Sequence, residues 1–429
     1  MIGLIAGTYL VRLAAAKAPV TDSTAAVFSD APPAASQLDT TIAGLQTRLS
    51  QYPQDTRSYT ELGAAYLQKV REVADPSYYP KAEAALRIAI GRLPSDSDTL
   101  TTLGTLALAR HQFADGLSYG QEAYALNPYN PRALGVVFDG QTELGEYDAA
   151  AQTVQKMVNT RPDMSSYSRV SYARELHGDV SGALQAMRQA ADAGSGVPEN
   201  TAWTLTQVGT LLWNHGDPDG AAAEFQSSLW AMPTYVPAQA GLAQVLTARG
   251  DLKGAIAAYQ KVVALMPLSQ YVIALGDVYT ADGQPAAADR QYALVKALEQ
   301  LQQANGVDVD LEITVFLADH AGHFEPLADT LTRARALFAR RPTLYAADAL
   351  AWTLYQSGQY AEAGAYSNQA LRLNTQDALL WFHAGLIAAR LGDPATARAD
   401  LQHALSINPN FSLLWAPLAR QTLNGLSAQ

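Results

Sequence analysis

Two stretches decide how this chain folds: GDPDGAAAEFQSSLWAMP at residues 216–233 and GDLKGAIAAYQKVVALMP at residues 250–267. Each opens on a glycine, Gly216 or Gly250, places Ala221 or Ala255 four residues before Phe225 or Tyr259, and closes on Pro233 or Pro267. All four features recur 34 residues apart. A fixed spacing of this size is the signature of a repeat array and sets the architecture before any single helix is considered.

The same marks run outward in both directions. Prolines stand at Pro94, Pro128 and Pro162, and glycines at Gly145, Gly178, Gly283, Gly322, Gly358 and Gly392, in step with the two quoted stretches. Between the marks, apolar residues keep helical spacing, as in Ala397, Leu401, Ala404 and Leu405. The glycine falls where one helix must end and the chain turn back, a position that favours the left-handed backbone. The proline falls just past the next helix, which it cannot continue. Each unit therefore reads as a helical hairpin.

Tyr59, Leu62, Gly63 and Tyr66 in a first helix, with Ala288 and Tyr292 in a second, complete a pattern that resembles the tetratricopeptide repeat. Leu275, Gly276 and Tyr279 repeat part of it, as do Trp381 and Gly385. The resemblance implies an all-α fold, a right-handed α-solenoid of helix-turn-helix repeats. Units are expected to start near 56, 97, 131, 164, 202, 236, 269, 308, 344 and 378. A leading helix over Leu38 to Gln51 precedes them, and a capping helix at 411–423 follows, so the solenoid is expected to span 39–425. The stretch from Arg71 to Pro80 lengthens a first helix or loops out of its unit, while 194–198 and 304–308 read as joints.

Composition agrees with a packed repeat core. Hydrophobic residues make up 48% and charged residues only 16%, so a disordered chain is not expected. Forty acidic against 29 basic residues give a net charge of −11, and with no basic patch nucleic acid is not an expected partner. The absence of cysteine removes disulfides, thiolate metal sites and cysteine nucleophiles together.

Residues 1–38 are set apart. An apolar run from Ile2 to Val11 is followed by Arg12, Lys17 and an Ala/Ser/Pro linker containing Pro32-Pro33. The run is too short to span a bilayer, and no positive charge precedes it as in a signal peptide. Taken together, the head and linker favour export or a membrane tether over a cytoplasmic location, with an upstream start reconciling the missing charge. Any membrane contact would come through this segment.

The chemistry of an enzyme is not apparent. Neither glycine-rich phosphate motif is present, and no cofactor is called for. Asp319, His320, His323 and Glu325 straddle Gly322, so they do not share one helical face as a zinc-binding H-E-x-x-H pair does. A metal-dependent enzyme is the weakest reading. His177 and His215, each one residue before its turn glycine, suit helix-end carbonyls instead.

The resemblance further implies that set positions of each first helix face an inner groove. Here they give Arg132, Asp139 and Thr142; Tyr172 and Glu175; Trp203 and Trp213; Asp277; Glu312 and Phe316; Tyr345, Asp348, Trp352 and Tyr355; and Phe382. Aromatics would supply rigid contact area and acids would select basic or hydrogen-bonding ligands. The expected function is a non-catalytic scaffold that holds a protein or peptide. An envelope-tethered component of a secretion or polymer-assembly machine is the narrower version.

Overall fold

The computed structural model describes residues 37–427, and every regular element in that range is an α-helix. The hydrophobic head and most of the linker lie outside the described residues. A leading helix, α1 (Gln37–Gln51), is followed by paired helices: α2 (Thr56–Val73) with α3 (Tyr78–Arg92), and α4 (Ser97–Ala109) with α5 (Phe113–Leu126). Next come α6 (Pro131–Glu143) with α7 (Tyr147–Thr160), α8 (Met164–Leu176) with α9 (Val180–Gly194), and α10 (Pro198–Asn214) with α11 (Pro218–Ala231). Then follow α12 (Val236–Ala248) with α13 (Leu252–Leu265), α14 (Ser269–Ala281) with α15 (Pro285–Ala304), and α16 (Asp310–Asp319) with α17 (Leu327–Arg340). The chain ends in α18 (Leu344–Gln356) with α19 (Tyr360–Ala370), α20 (Ala378–Arg390) with α21 (Pro394–Ile407), and α22 (Trp415–Ser427). It is an all-α helical-repeat solenoid, and no described helix is long and apolar enough to cross a membrane.

Local chemistry explains each turn. Gly216 and Gly250 adopt φ of 79°, and the amides of Asp217 and Asp251 reach back to the carbonyls of Leu212 and Leu246 at 2.9 and 3.1 Å. That bond closes the first helix. The same aspartates then start the second helix, their carboxylates accepting from the Gly220 and Gly254 amides at 2.8 and 2.9 Å. One Gly-Asp pair thus ends one helix and begins the next.

Packing explains the rest of the pattern. The Tyr292 ring of α15 lies against Gly276 of α14 so closely that any β-carbon there would collide with it. Small residues such as Ala221, Ala255 and Ala288 are fully enclosed where helices approach. The largest enclosed side chains, Trp352, Phe138, Phe225 and Phe382, come from both helices of the hairpins. The core is a string of clusters along the stack, each shared by neighbouring units, as expected of a solenoid.

The irregular stretches have distinct outcomes. At 71–80, α2 runs on to Val73, Ala74 takes a left-handed conformation (φ 53°), and α3 begins only at Tyr78. At 194–198, Gly194 ends α9 and Pro198 opens α10. At 304–308 the chain is held from outside its own hairpin: the Asp308 amide donates to the Arg110 carbonyl at 2.9 Å, and His111 Nδ1 lies 2.8 Å from the Asp308 carbonyl oxygen.

That last contact belongs to a seam along which the solenoid meets itself. Leu344 N donates to Tyr147 Oη at 2.9 Å, the Thr375 hydroxyl bonds the Leu176 carbonyl, and Asn408 Nδ2 donates to the Trp213 carbonyl at 2.8 Å. Arg341 pairs with Glu143 across the same line. Turns inside the earlier hairpins therefore rest on turns between the later ones, nearly 200 residues on. One winding of the superhelix sits on the next.

Candidate binding channel

The winding curves around a half-open channel of about 1560 Å³. Its wall is built mainly from first helices, with Thr60, Thr102 and Arg132 from α2, α4 and α6, then Tyr172 and Trp203 from α8 and α10. Glu312 and Tyr345, from α16 and α18, reach it from the later winding. Helical spacing fixes this facing, since residues three and four apart on each first helix share the inward face while those on the opposite side pack on the second helix.

The sequence-derived site residues divide into two groups. Arg132, Tyr172, Trp203 and Tyr345 line the channel. Arg132 stands 3.9 Å from the Asp98 carboxylate, and Trp203 packs on the cluster around Met187 and Val208. Tyr172 and Tyr345 lie together against the Phe138–Leu344 cluster, and the Tyr345 hydroxyl is buried with no hydrogen-bond partner.

The other predicted residues are taken up by packing between units. Trp213, Phe316, Trp352 and Phe382 are enclosed among neighbouring helices rather than turned to the channel. Tyr355 stacks on Trp352 with ring centroids 4.9 Å apart. Asp139 makes a two-bond pair with Arg169, at 2.9 and 2.6 Å, inside the α6–α8 contact. Asp348 pairs with His383 at 3.0 Å between α18 and α20. Asp277 accepts from the Tyr292 hydroxyl at 2.8 Å, and burial pushes its carboxyl up to about 7. An aromatic at helical spacing fills the next hairpin as readily as it faces a groove, and the first helices of this chain bury most of theirs.

The histidine and aspartate set near Gly322 is split among separate partners. Asp319 accepts from Trp352 Nε1 at 2.9 Å and burial lifts it to about 6. His320 Nδ1 lies 2.8 Å from the Phe316 carbonyl, and His323 faces Asp289 at 3.7 Å. Among the described residues no group of three or more His, Asp or Glu is placed to hold a metal ion. His177 bonds the Ala173 carbonyl at the end of α8, whereas His215 Nε2 is buried without a partner.

Several channel residues carried no sequence signal. Glu143, Arg341, Tyr235 and Tyr271 all line it. Arg341 and Glu143 meet only because the windings touch, and burial lifts the Glu143 carboxyl even against the attraction of Arg341. Tyr235 lies in the turn before α12, ahead of the helical positions that the repeat pattern assigns inward.

Hairpins in register, shared interfacial cores and an inner wall of first helices define a helical-repeat interaction scaffold. Tetratricopeptide repeat models match residues 212–277, 346–377 and 378–411, so the chain carries tetratricopeptide repeats. Such repeats are typically non-catalytic scaffolds for protein partners. Comparison with curated proteins found no match. Among solved structures, the chain is similar to a tetratricopeptide repeat protein of Parabacteroides merdae (17% identity, TM-score 0.37, 62% of this chain and 99% of that one). It is also similar to yeast Tom70 (12%, 0.36, 89% and 96%) and to the human IFIT1 dimer with PPP-AAAA (11%, 0.46, 86% and 94%). At these identities the likeness says nothing about the ligand of this chain.

Proposed function

We propose that the channel holds an extended segment of a partner protein. The supporting observation is the wall itself: the half-buried rings of Trp203 and Tyr235 share it with threonine side chains and carboxylates. Rigid rings give contact area at small entropic cost, and polar groups between them bond a peptide backbone. A space of this volume suits an extended segment better than a folded domain.

Site-specific photocrosslinking in the native cell tests this. A photoreactive residue at Gln207, in the channel wall, captures a protein partner, and one at the exposed Gln155 does not. Trp203→Ala together with Tyr235→Ala reduces that capture at least tenfold with an unchanged helical spectrum. Equal capture from both positions, or capture indifferent to the double substitution, sinks the reading.

A further inference from the structure

The seam leaves each winding with one edge unused. Every hairpin helix joins a turn between hairpins to a turn inside one, and the seam brings together only the inside turns of the earlier winding and the between-hairpin turns of the later. A β-carbon on Gly145, Gly178 or Gly216 would come 2.7, 2.5 or 2.7 Å from the carbonyl oxygens of Pro342, Asn374 and Ile407. In the inside turns of the later winding, Gly250, Gly283, Gly322, Gly358 and Gly392 have open space instead. On the opposite edge, the first three between-helix turns of the earlier winding carry Tyr52, Leu93 and Tyr129, which are 60%, 50% and 85% exposed.

The two unused edges carry the chemistry of the two that already meet. Asn408 ends α21 with φ −150° and ψ 108°, its oxygen accepts the Asn410 amide at 2.8 Å, and its Nδ2 donates to the Trp213 carbonyl. Asn127 ends α5 with φ −142° and ψ 90°, and its oxygen accepts the Tyr129 amide at 3.2 Å. Its side chain is therefore held as that of Asn408 is, yet it is exposed and its Nδ2 bonds nothing among the described residues. The acceptor is duplicated as well. The Trp213 carbonyl also takes the Gly216 amide at 3.1 Å, and the carbonyls of Thr247 and Tyr355 take the Gly250 and Gly358 amides at 3.0 Å in the same way. A carbonyl oxygen accepts two bonds, and no described side chain reaches either of these two.

We propose that copies of this chain stack end to end, the turns at Tyr52, Leu93 and Asn127 to Tyr129 of one copy resting on the inside turns from Gly250 to Gly392 of another. Asn127 donates to a turn carbonyl there as Asn408 does to Trp213, and Leu391, 50% exposed beside Gly392, meets the exposed apolar side chains of the other edge. Each edge matches a surface that the chain already joins to its counterpart, so the partner is a second copy. Because the two edges differ and the seam steps along the superhelix axis, the contact is heterologous and does not close, and copies add into a filament. A net charge of −11 on each copy opposes stacking, so association strengthens as salt screens it. The stacking is independent of what the channel holds.

Sedimentation of the full chain tests this. In about 0.2 M salt the mean mass rises past that of a dimer between about 2 and about 200 μM, without a plateau. Two double variants each remove one edge. Asn127→Asp with Tyr129→Glu keeps an oxygen for the amide at position 129 and replaces the donor and the ring with charge. Gly250→Asn with Gly358→Asn fills the open space with a residue that tolerates the left-handed backbone.

Alone, each variant keeps the helical spectrum and associates at least about tenfold more weakly than the parent chain. Mixed in equal amounts, the two form a one-to-one pair and nothing larger, because the mixture holds one intact edge of each kind. A parent chain that stays monomeric at the highest concentration overturns the proposal and leaves these edges to residues 1–36 or to another protein. Undiminished association of both variants overturns it by placing the contact elsewhere. One variant that pairs with itself while the other does not overturns it in favour of two like edges meeting, and loss in both variants without pairing in the mixture overturns it as well.

Discussion

Asn408 donates its side-chain amide to the carbonyl of Trp213 at 2.8 Å, although 195 positions separate the two in the chain. The same side chain accepts the Asn410 amide through its oxygen at 2.8 Å, which fixes the rotamer that makes the long-range bond. Asn408 thus ties its own turn to a hairpin laid down five earlier. Such bonds hold the two windings together along the seam.

The seam can be tested with two glycines that share a backbone conformation but not a neighbourhood. Gly178 (φ 76°) lies where a β-carbon would come 2.5 Å from the Asn374 carbonyl oxygen, while Gly358 (φ 75°) has open space. Gly358→Ala should cost about 1 kcal/mol, the ordinary penalty of a left-handed alanine. Gly178→Ala should cost roughly 3 kcal/mol, because it also forces the windings apart or strains them. Urea unfolding measures both, and equal values would mean that the seam does not form in solution.

Asp139 and Arg169 make a buried pair whose side chains are only 6% and 4% exposed. Removing one partner strands the other, so Asp139→Ala should destabilise by about 3–5 kcal/mol. Asp139→Leu combined with Arg169→Met should recover most of that loss, since apolar side chains of similar volume need no pairing. A double variant no better than the single one would show that the pair does more than satisfy itself.

Stability should fall as pH rises from about 5 to 8. Burial holds the carboxyls of Asp277 and Glu175 at about 7 and Asp319 at about 6, all above their unfolded values. A raised acid contributes stability that is full below the unfolded pKa and is lost as pH climbs through the folded one. Asp277→Asn keeps an oxygen for the Tyr292 hydroxyl. It should therefore flatten this slope by roughly 2 kcal/mol between pH 5 and 8. Denaturant titrations at the two pH values decide it, and an unchanged slope would refute the assignment.

Trp352 is enclosed, donates to Asp319 through Nε1 at 2.9 Å, and lies flat on His383 with centroids 4.1 Å apart. Trp352→Phe keeps a ring but leaves the buried carboxyl short of a donor, and should cost about 2–3 kcal/mol. Calorimetric melting checks this. A cost below about 0.5 kcal/mol would show that the donor is readily replaced.

The hairpins were legible in the sequence because their causes are local. Gly216 and Asp217 sit side by side, and Ala221 and Phe225 lie one helical turn apart, so glycine conformation, cap and interfacial packing can be read within one period. The groove was legible only in part. Trp203 and Trp213 look alike at helical spacing, yet one lines the channel and the other is enclosed beside Phe225 and Val245. Spacing gives the face of a helix; which part of that face the next hairpin covers depends on the angle between units.

By itself, then, the sequence determined the helices, their turns and the stacking of neighbours, all set by residues within one repeat of each other. Tertiary structure alone decided that Arg341 would meet Glu143, that Thr375 would meet Leu176, and that Asn408 would meet Trp213. The reason is accumulation: each hairpin turns slightly on the last, and only the sum over a whole winding sets which distant turns touch. No single repeat encodes that sum.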